Sequence, residues 1–252
     1  MIQVKSSDTV VVWFSCGVAS AAAAKLTLDV YGGNATVRIV NNPIANEHDD
    51  NRRFLRDVEA WLGVTIETSA NSKYPDADCN DVWRKARYMG GIAGAPCTVE
   101  LKRKARQAWE LDNKTDWLVL GFTLEEKPRS DRFTLTERNN VLPILIDHKF
   151  DRFKCFDMIH RAGIKPPEIY SLGYPNANCI GCVKASSPTY WNLVRNTFPD
   201  VFEERATLSR ELGARLVRVN NKRIFLDELC PNEKGRDLKT MHVECGLFCE
   251  EQ

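Results

Sequence analysis

The nine cysteines of this chain fall where thiols do chemistry. Cys179 and Cys182 form a tight C-x-x-C, Cys97 opens a basic stretch, and Cys245 and Cys249 stand near residue 252. Thiolates drawn from scattered segments hold iron-sulfur clusters, and a C-x-x-C is equally half of a zinc site or a redox pair. A zinc ribbon would show two such pairs, whereas the Cys245 to Cys249 spacing is one residue too wide. A thioredoxin-like pair would open a helix near the start of a βαβ unit, which is not the position of Cys179. Cys79, Cys155 and Cys230 have no cysteine close by in sequence and read as structural thiols. Cys245, on a terminal stretch, can reach into an active site and withdraw, or act as a metal-ligated strap.

A second signal precedes all of these. An apolar run, Thr9 to Phe14, leads into the turn Ser15, Cys16, Gly17, Val18, Ala19, Ser20 and then an alanine-rich stretch. Strand, turn and helix in that order aim free backbone N–H groups and the helix dipole at an anion, and the serine hydroxyls add donors. No Gly-Lys-Ser/Thr follows, so this is not a Walker A loop; an ordinary βα turn of small residues reads the same way. Lys102, Arg103 and Lys104 are candidates for binding phosphate or sulfate, or form a solvated helix face.

The elements that must position these residues follow from periodicity. Strands are predicted at Thr9 to Phe14, Thr36 to Val40, Val64 to Thr68 and Trp117 to Phe122, with helices at Ala19 to Tyr31, Asn51 to Leu62, Trp83 to Met89 and Thr98 to Glu110. The order βαβαβαβ predicts an α/β fold with a parallel sheet and helices on both faces. Ligands of such sheets bind outside the carboxyl ends of the strands, which places the turn after Phe14 and the segment Asn41 to Asp50 there. His48 and Asp50 in that segment are candidates for ribose or base contact, or plain surface polar groups. From residue 140 prolines punctuate shorter elements. The expected organisation is a nucleotide-binding domain over 1–139 and a C-terminal extension over 140–252 carrying the C-x-x-C and the cysteine tail, with helices at Phe150 to Ala162 and Pro188 to Leu212. A hairpin is expected around Asn220 and Asn221.

With 252 residues, 43% hydrophobic and 27% charged, the chain can bury a sizeable core, and its net charge of +1 gives no support to a strongly basic nucleic-acid binder. The apolar stretch from Val10 to Leu26 is broken by Ser15, Cys16 and Gly17, so the expectation is no signal peptide, no membrane span and a cytoplasmic location where thiols stay reduced.

Taken together, several motifs resemble the phosphoadenylyl sulfate (PAPS/APS) reductase family, most of all its divergent phage and prophage members. They are the strand and Ser-x-Gly turn, Cys97 with Glu100 to Lys104, the segment Leu172 to Cys182, and Glu244-Cys245-Gly246-Leu247. The resemblance spans roughly residues 8 to 249. It implies a Rossmann-like, adenine nucleotide alpha-hydrolase-like fold with Ser15 to Ser20 as the pyrophosphate loop, and ATP or PAPS/APS as the nucleotide, compatible with Mg2+. It implies a [4Fe-4S] cluster on Cys97, Cys179 and Cys182, with Cys249 as fourth ligand and Cys245 as its rival for that place. It implies Cys245 as the nucleophile that takes up the sulfonate, with thioredoxin or glutaredoxin as reductant.

The chain departs from the family pattern at four points. Cys16 and Gly17 stand where the loop has two glycines; Pro96 stands where the cluster-binding branch has a second cysteine; Glu125 and Glu126 stand where paired arginines follow the fourth strand; and Phe248 and Cys249 replace a histidine. These departures keep open an ATP-pyrophosphatase-type sulfurtransferase, which thiolates tRNA or phosphorothioates DNA and would bind nucleic acid. A non-enzymatic zinc module is the third reading. The oligomeric state is not legible.

Overall fold

The computed structural model describes residues 3–91 and 94–238. Cys245 and Cys249 lie outside the described residues. The chain forms two compact units, each gathered from separated stretches: Met1–Pro43, Asp49–Ser69 and Arg106–Glu168 in one, and Ile44–His48, Ala70–Ala105 and Ile169–Gln252 in the other.

The first unit is built on a parallel sheet of β1 (Thr9–Phe14), β2 (Thr36–Asn41), β3 (Ile66–Thr68) and β4 (Trp117–Val119) in the order β3-β2-β1-β4. Every residue of β1 is buried, as its unbroken run of Thr, Val, Trp and Phe requires in a sheet covered on both faces. Between the strands run α1 (Val18–Tyr31), whose Ala21 to Ala24 are fully buried, and α2 (Asp50–Leu62), which ends on Gly63. The expected fourth strand stops at Val119, and Leu118 instead exchanges backbone hydrogen bonds with Asn140 (2.9 Å) and Leu142 (2.8 Å), a rudimentary fifth strand position.

The order β3-β2-β1-β4 contains a reversal. From β1 the chain moves outward to β2 and β3, then returns to add β4 on β1's other side. The crevice at that reversal, outside the carboxyl ends of β1 and β4, is where open α/β sheets bind ligands.

The second unit is mainly helical. Along the chain lie α3 (Cys79–Ala86), a π-helical segment (Thr98–Lys104) that continues into α4 (Ala105–Asp112), α5 (Lys127–Thr136), α6 (Ile144–Asp147), α7 (Arg152–Arg161), α8 (Glu168–Ser171), α9 (Pro188–Thr197) and α10 (Pro199–Glu211). Of these, α4 from Arg106 onward and the whole of α5, α6 and α7 belong to the first unit. The sequence reads 188–212 as one helix, but Pro199 cannot donate to the ladder, and the chain breaks at Phe198. The hairpin forms as expected: β5 (Val217–Val219) pairs with β6 (Lys222–Ile224), and Asn220 and Asn221 both take positive φ, 47° and 63°, the two-residue turn that suits strand twist. The core of this unit packs Trp83, Met89, Ile169, Tyr190, Trp191 and Phe202 together with Cys79, Cys179 and Cys182. No described helix is long and apolar enough to cross a membrane.

Candidate nucleotide turn and candidate thiol centre

The Ser15 to Ser20 turn is tied internally. The Ser15 N–H donates to Ser20 Oγ (3.2 Å), and Ser20 Oγ donates to the Gly17 carbonyl (2.8 Å). From the end of β2, Asn41 Nδ2 donates to the Phe14 carbonyl (2.7 Å) and to Cys16 Sγ (3.5 Å). Cys16 takes φ 56°, a left-handed conformation that a residue with a Cβ adopts only when its surroundings impose it. The backbone thus has the shape a glycine would favour at the position where the resembled family has one. Ser15 remains exposed, Gly17 and Ala19 half-buried, and α1 carries no acidic residue in its first turn, so nothing acidic there opposes an anion.

Gly121 closes the other side of the crevice. A Cβ there would lie 2.8 Å from the Ser20 nitrogen, 3.0 Å from its Cα and 3.1 Å from the Ala19 carbonyl carbon, all backbone atoms. The segment after β4 therefore runs against the first turn of α1 as closely as a bare backbone allows. The two carboxylates that follow are committed elsewhere. Glu126 caps Thr123 and pairs with Arg129 (2.6 Å), while Glu125 accepts from the Arg152 N–H (3.1 Å) at the start of α7.

In the second unit the thiols converge. Cys79, the first residue of α3, hydrogen-bonds through its thiol to both Cys179 and Cys97. Those two contacts and burial push the Cys79 thiol well above its ordinary value, because a thiolate there would face two further sulfurs with little water. Cys179 and Cys182 are 8% and 7% exposed, Cys79 2%. Between them Gly181 turns the chain at φ 65°, with Val201 and Arg205 packed 3.1 and 3.2 Å from where a Cβ would stand. The Cys182 N–H donates to the buried Tyr190 hydroxyl (2.9 Å), and the Trp191 indole N–H donates to the Ala185 carbonyl (2.7 Å), fixing the chain after the C-x-x-C. Burial first, then the Cys182 thiol, pushes the Tyr190 phenol well up, so it stays protonated.

Asn46 joins the two halves of this centre. Its side-chain carbonyl accepts from the Cys79 N–H (2.7 Å), its amide donates to Asp78 (3.0 Å), and its backbone carbonyl accepts from the Ile180 N–H (2.9 Å). One residue thereby sets both the start of α3 and the turn between Cys179 and Cys182. Asp78 caps α3 by accepting from the Asn80 N–H. Cys97 immediately precedes the π-helical segment, a geometry rare in proteins and frequent at functional sites.

Among the described residues no group of three or more His, Cys, Asp or Glu side chains is set to hold a metal ion as it stands. The donor chemistry nevertheless fits an iron-sulfur cluster: Cys79, Cys179 and Cys182 are buried and Cys97 half-buried, four soft thiols that must lose their protons to bind it. The anion candidates are partly committed. Lys102 pairs with Glu47 (3.5 Å) and Lys104 with Glu100 (2.6 Å), while Arg103 is half-buried.

No protein-family model and no curated protein matches the sequence. Among solved structures the chain is similar to phosphoadenylyl-sulfate (PAPS) reductase from Candida auris in its phosphate complex, at 12% identity and a TM-score of 0.47, over 68% of this chain and 80% of that one. It is also similar to the U34-tRNA thiolase NcsA from Methanococcus maripaludis with its [4Fe-4S] cluster, at 12% identity and a TM-score of 0.45, over 86% of this chain and 75% of that one.

The structure gathers Cys179 and Cys182 into one core with Cys97 packed against it, and adds a thiol that spacing did not single out. Cys79, which the sequence reads as a structural thiol, lies against Cys97 and Cys179. Asn46 and Gly121 were missed as well. Both act through backbone geometry, and only the Asp-Cys start of a helix after Ala77 hinted that Cys79 would face inward. Of the other two thiols read as structural, Cys155 is buried and Cys230 is exposed.

Proposed function

We propose that this chain is a sulfur-handling enzyme that reduces an adenylylated sulfate, binding the nucleotide at Ser15 to Ser20 and carrying an iron-sulfur cluster on Cys97, Cys179 and Cys182. The gathering of thiols in the second unit carries the reading, because a group of buried cysteines with no disulfide among the described residues suits soft-metal ligation better than packing. The cluster, when bound, would be held by these thiolates and would tie their separate segments together. The chain's own residues do the rest. The α1 N-terminus and the Ser15 and Ser20 hydroxyls hold phosphate oxygens, and Gly121 lets the sheet edge approach them. The Cys245 thiolate attacks the sulfate sulfur; the sulfur–oxygen bond to the phosphate breaks and the adenine nucleotide leaves with that electron pair. A dithiol protein then attacks Cys245 Sγ, sulfite leaves, and the second thiol resolves the mixed disulfide, so the reductant becomes a disulfide and Cys245 returns to the thiol.

Capping by Glu125 and Glu126 supports this reading, since both carboxylates are occupied in holding helix ends. The second reading, an ATP-dependent sulfurtransferase, is served by the same turn at Ser15 to Ser20 and the same gathering of thiols. The deciding experiment supplies the oxygen-free protein with adenylyl sulfate or phosphoadenylyl sulfate and reduced thioredoxin or glutaredoxin. Sulfite release and a sulfonated Cys245 peptide support reduction; pyrophosphate release from ATP with no sulfite overturns it.

A further inference from the structure

We infer that Cys79 is the fourth thiolate of the centre, completing with Cys97, Cys179 and Cys182 a four-cysteine iron-sulfur site whose two halves are held in register by Asn46. The inference rests on the cluster part of the proposed function and replaces the sequence expectation that Cys249 or Cys245 fills this place.

Three observations converge on Cys79. It is 2% exposed and its thiol touches two sulfurs of the set. It opens α3, so its backbone N–H belongs to a helix N-terminus, where negative charge on sulfur is favoured. Finally, the Asn46 side chain fixes the Cys79 backbone while the Asn46 carbonyl fixes Ile180, inside the C-x-x-C. A purely structural Cys79 would have no need of a shared clamp with the cysteine turn.

The ligand count has a chemical consequence. Three protein thiolates leave one iron of a four-iron cluster open to an outside ligand, such as a sulfide to be transferred; four close every iron. With Cys79 in place the centre has no vacancy, Cys245 is released from ligation, and the sulfur chemistry falls to a thiol outside the cluster.

The test uses the full chain purified without oxygen. Iron, zinc and acid-labile sulfide are counted in the wild type and in Cys79→Ser, Cys230→Ser, Cys245→Ser and Cys249→Ser, with the visible spectrum and the electron paramagnetic resonance of the reduced protein. The expected wild type holds about four irons and four sulfides per chain. Cys79→Ser is expected to fall to about three quarters of that iron or less, with an altered resonance, while the other three variants match the wild type. Since Cys79 is buried and its variant risks misfolding, a second arm treats the Cys245→Ser/Cys249→Ser double variant with excess cyanide. Its resonance is expected to stay unchanged, because no iron is open. Wild-type iron, sulfide and spectrum in Cys79→Ser overturn the assignment, as does a cyanide-responsive cluster in the double variant. Zinc without sulfide in the wild type would sink the proposed enzyme yet still decide Cys79: zinc lost from Cys79→Ser alone supports it as a ligand, and zinc lost from Cys249→Ser instead overturns it. A wild type with neither metal overturns it outright.

Discussion

Replacing Gly121 with alanine tests whether the crevice between β1 and β4 is a built ligand site. The new Cβ would meet the Ser20 nitrogen at 2.8 Å, against an ordinary contact of 3.4 Å or more, so the two backbones must part by about 0.6 Å. None of the three nearest atoms belongs to a flexible side chain; all are backbone of the first turn of α1. Overpacking of that kind costs about 1–3 kcal/mol. The same displacement carries the Ser20 N–H and hydroxyl, and with them the hydrogen bonds to Ser15 and Gly17, away from the anion position. A misplacement approaching 1 Å can reduce a positioned interaction by up to about a hundredfold. Urea unfolding followed by circular dichroism reads the first effect, and titration calorimetry with ATP and with phosphoadenylyl sulfate reads the second. The expected result is a lower midpoint together with at least about tenfold weaker nucleotide binding, equivalent to about 1.4 kcal/mol. Lower stability with unchanged nucleotide affinity would refute the assignment of this turn; unchanged stability would refute the packing argument itself.

Three further perturbations probe the thiol centre and its surroundings. Asn46→Ala removes the acceptor of the Cys79 N–H and the donor to Asp78, and is expected to destabilise the chain by about 1–3 kcal/mol and to lower iron per chain, read by denaturation and metal analysis. Gly181→Ala forces a Cβ into a left-handed turn beside Val201 and Arg205, with an expected cost of about 1–2 kcal/mol and the same fall in iron; full occupancy in either variant would count against a shared clamp. Cys155 is pushed up to about 12, by burial first and then by Glu125, Asp151 and Glu126, so at about pH 8 it should resist iodoacetamide while exposed Cys230 reacts, as peptide masses would show. The neutral thiol is the folded form, so the stability linked to Cys155 is complete at neutral pH and lost as pH rises from the unfolded value near 9 towards about 12.

Much of the first unit was legible because its signals are local. Buried β-branched runs at β1 and β2, an alanine-rich α1 and a glycine after Phe14 need no tertiary information to read as strand, turn and helix. Boundaries failed where tertiary pairing decided them: β4 ends at Val119 although the apolar run continues to Phe122, since beyond that point the chain bends to meet α1 at Gly121. Helix α3 starts at Cys79, four residues before the apolar stripe that marked it, because Asp78 caps it and Asn46 seats it. A seat supplied by a side chain 33 residues away leaves no periodic trace.

The proposed role of Cys79 rests on contacts that spacing alone does not reveal. The resembled family places two adjacent cysteines at the first ligand position, and this chain has Pro96 before Cys97, so a search along the sequence turns to the remaining close-spaced thiols at Cys245 and Cys249. Folding offers another solution. Cys79 and Cys97 are 18 residues apart in sequence, yet Cys79 lies against both Cys97 and Cys179. A proline at position 96 is compatible with a helix start, where a missing N–H is not felt, whereas a second thiol there would have had to compete for the same space. Placing that thiol at the N-terminus of a neighbouring helix gives the proposed centre its four sulfurs and leaves Cys245 for the proposed nucleophilic role.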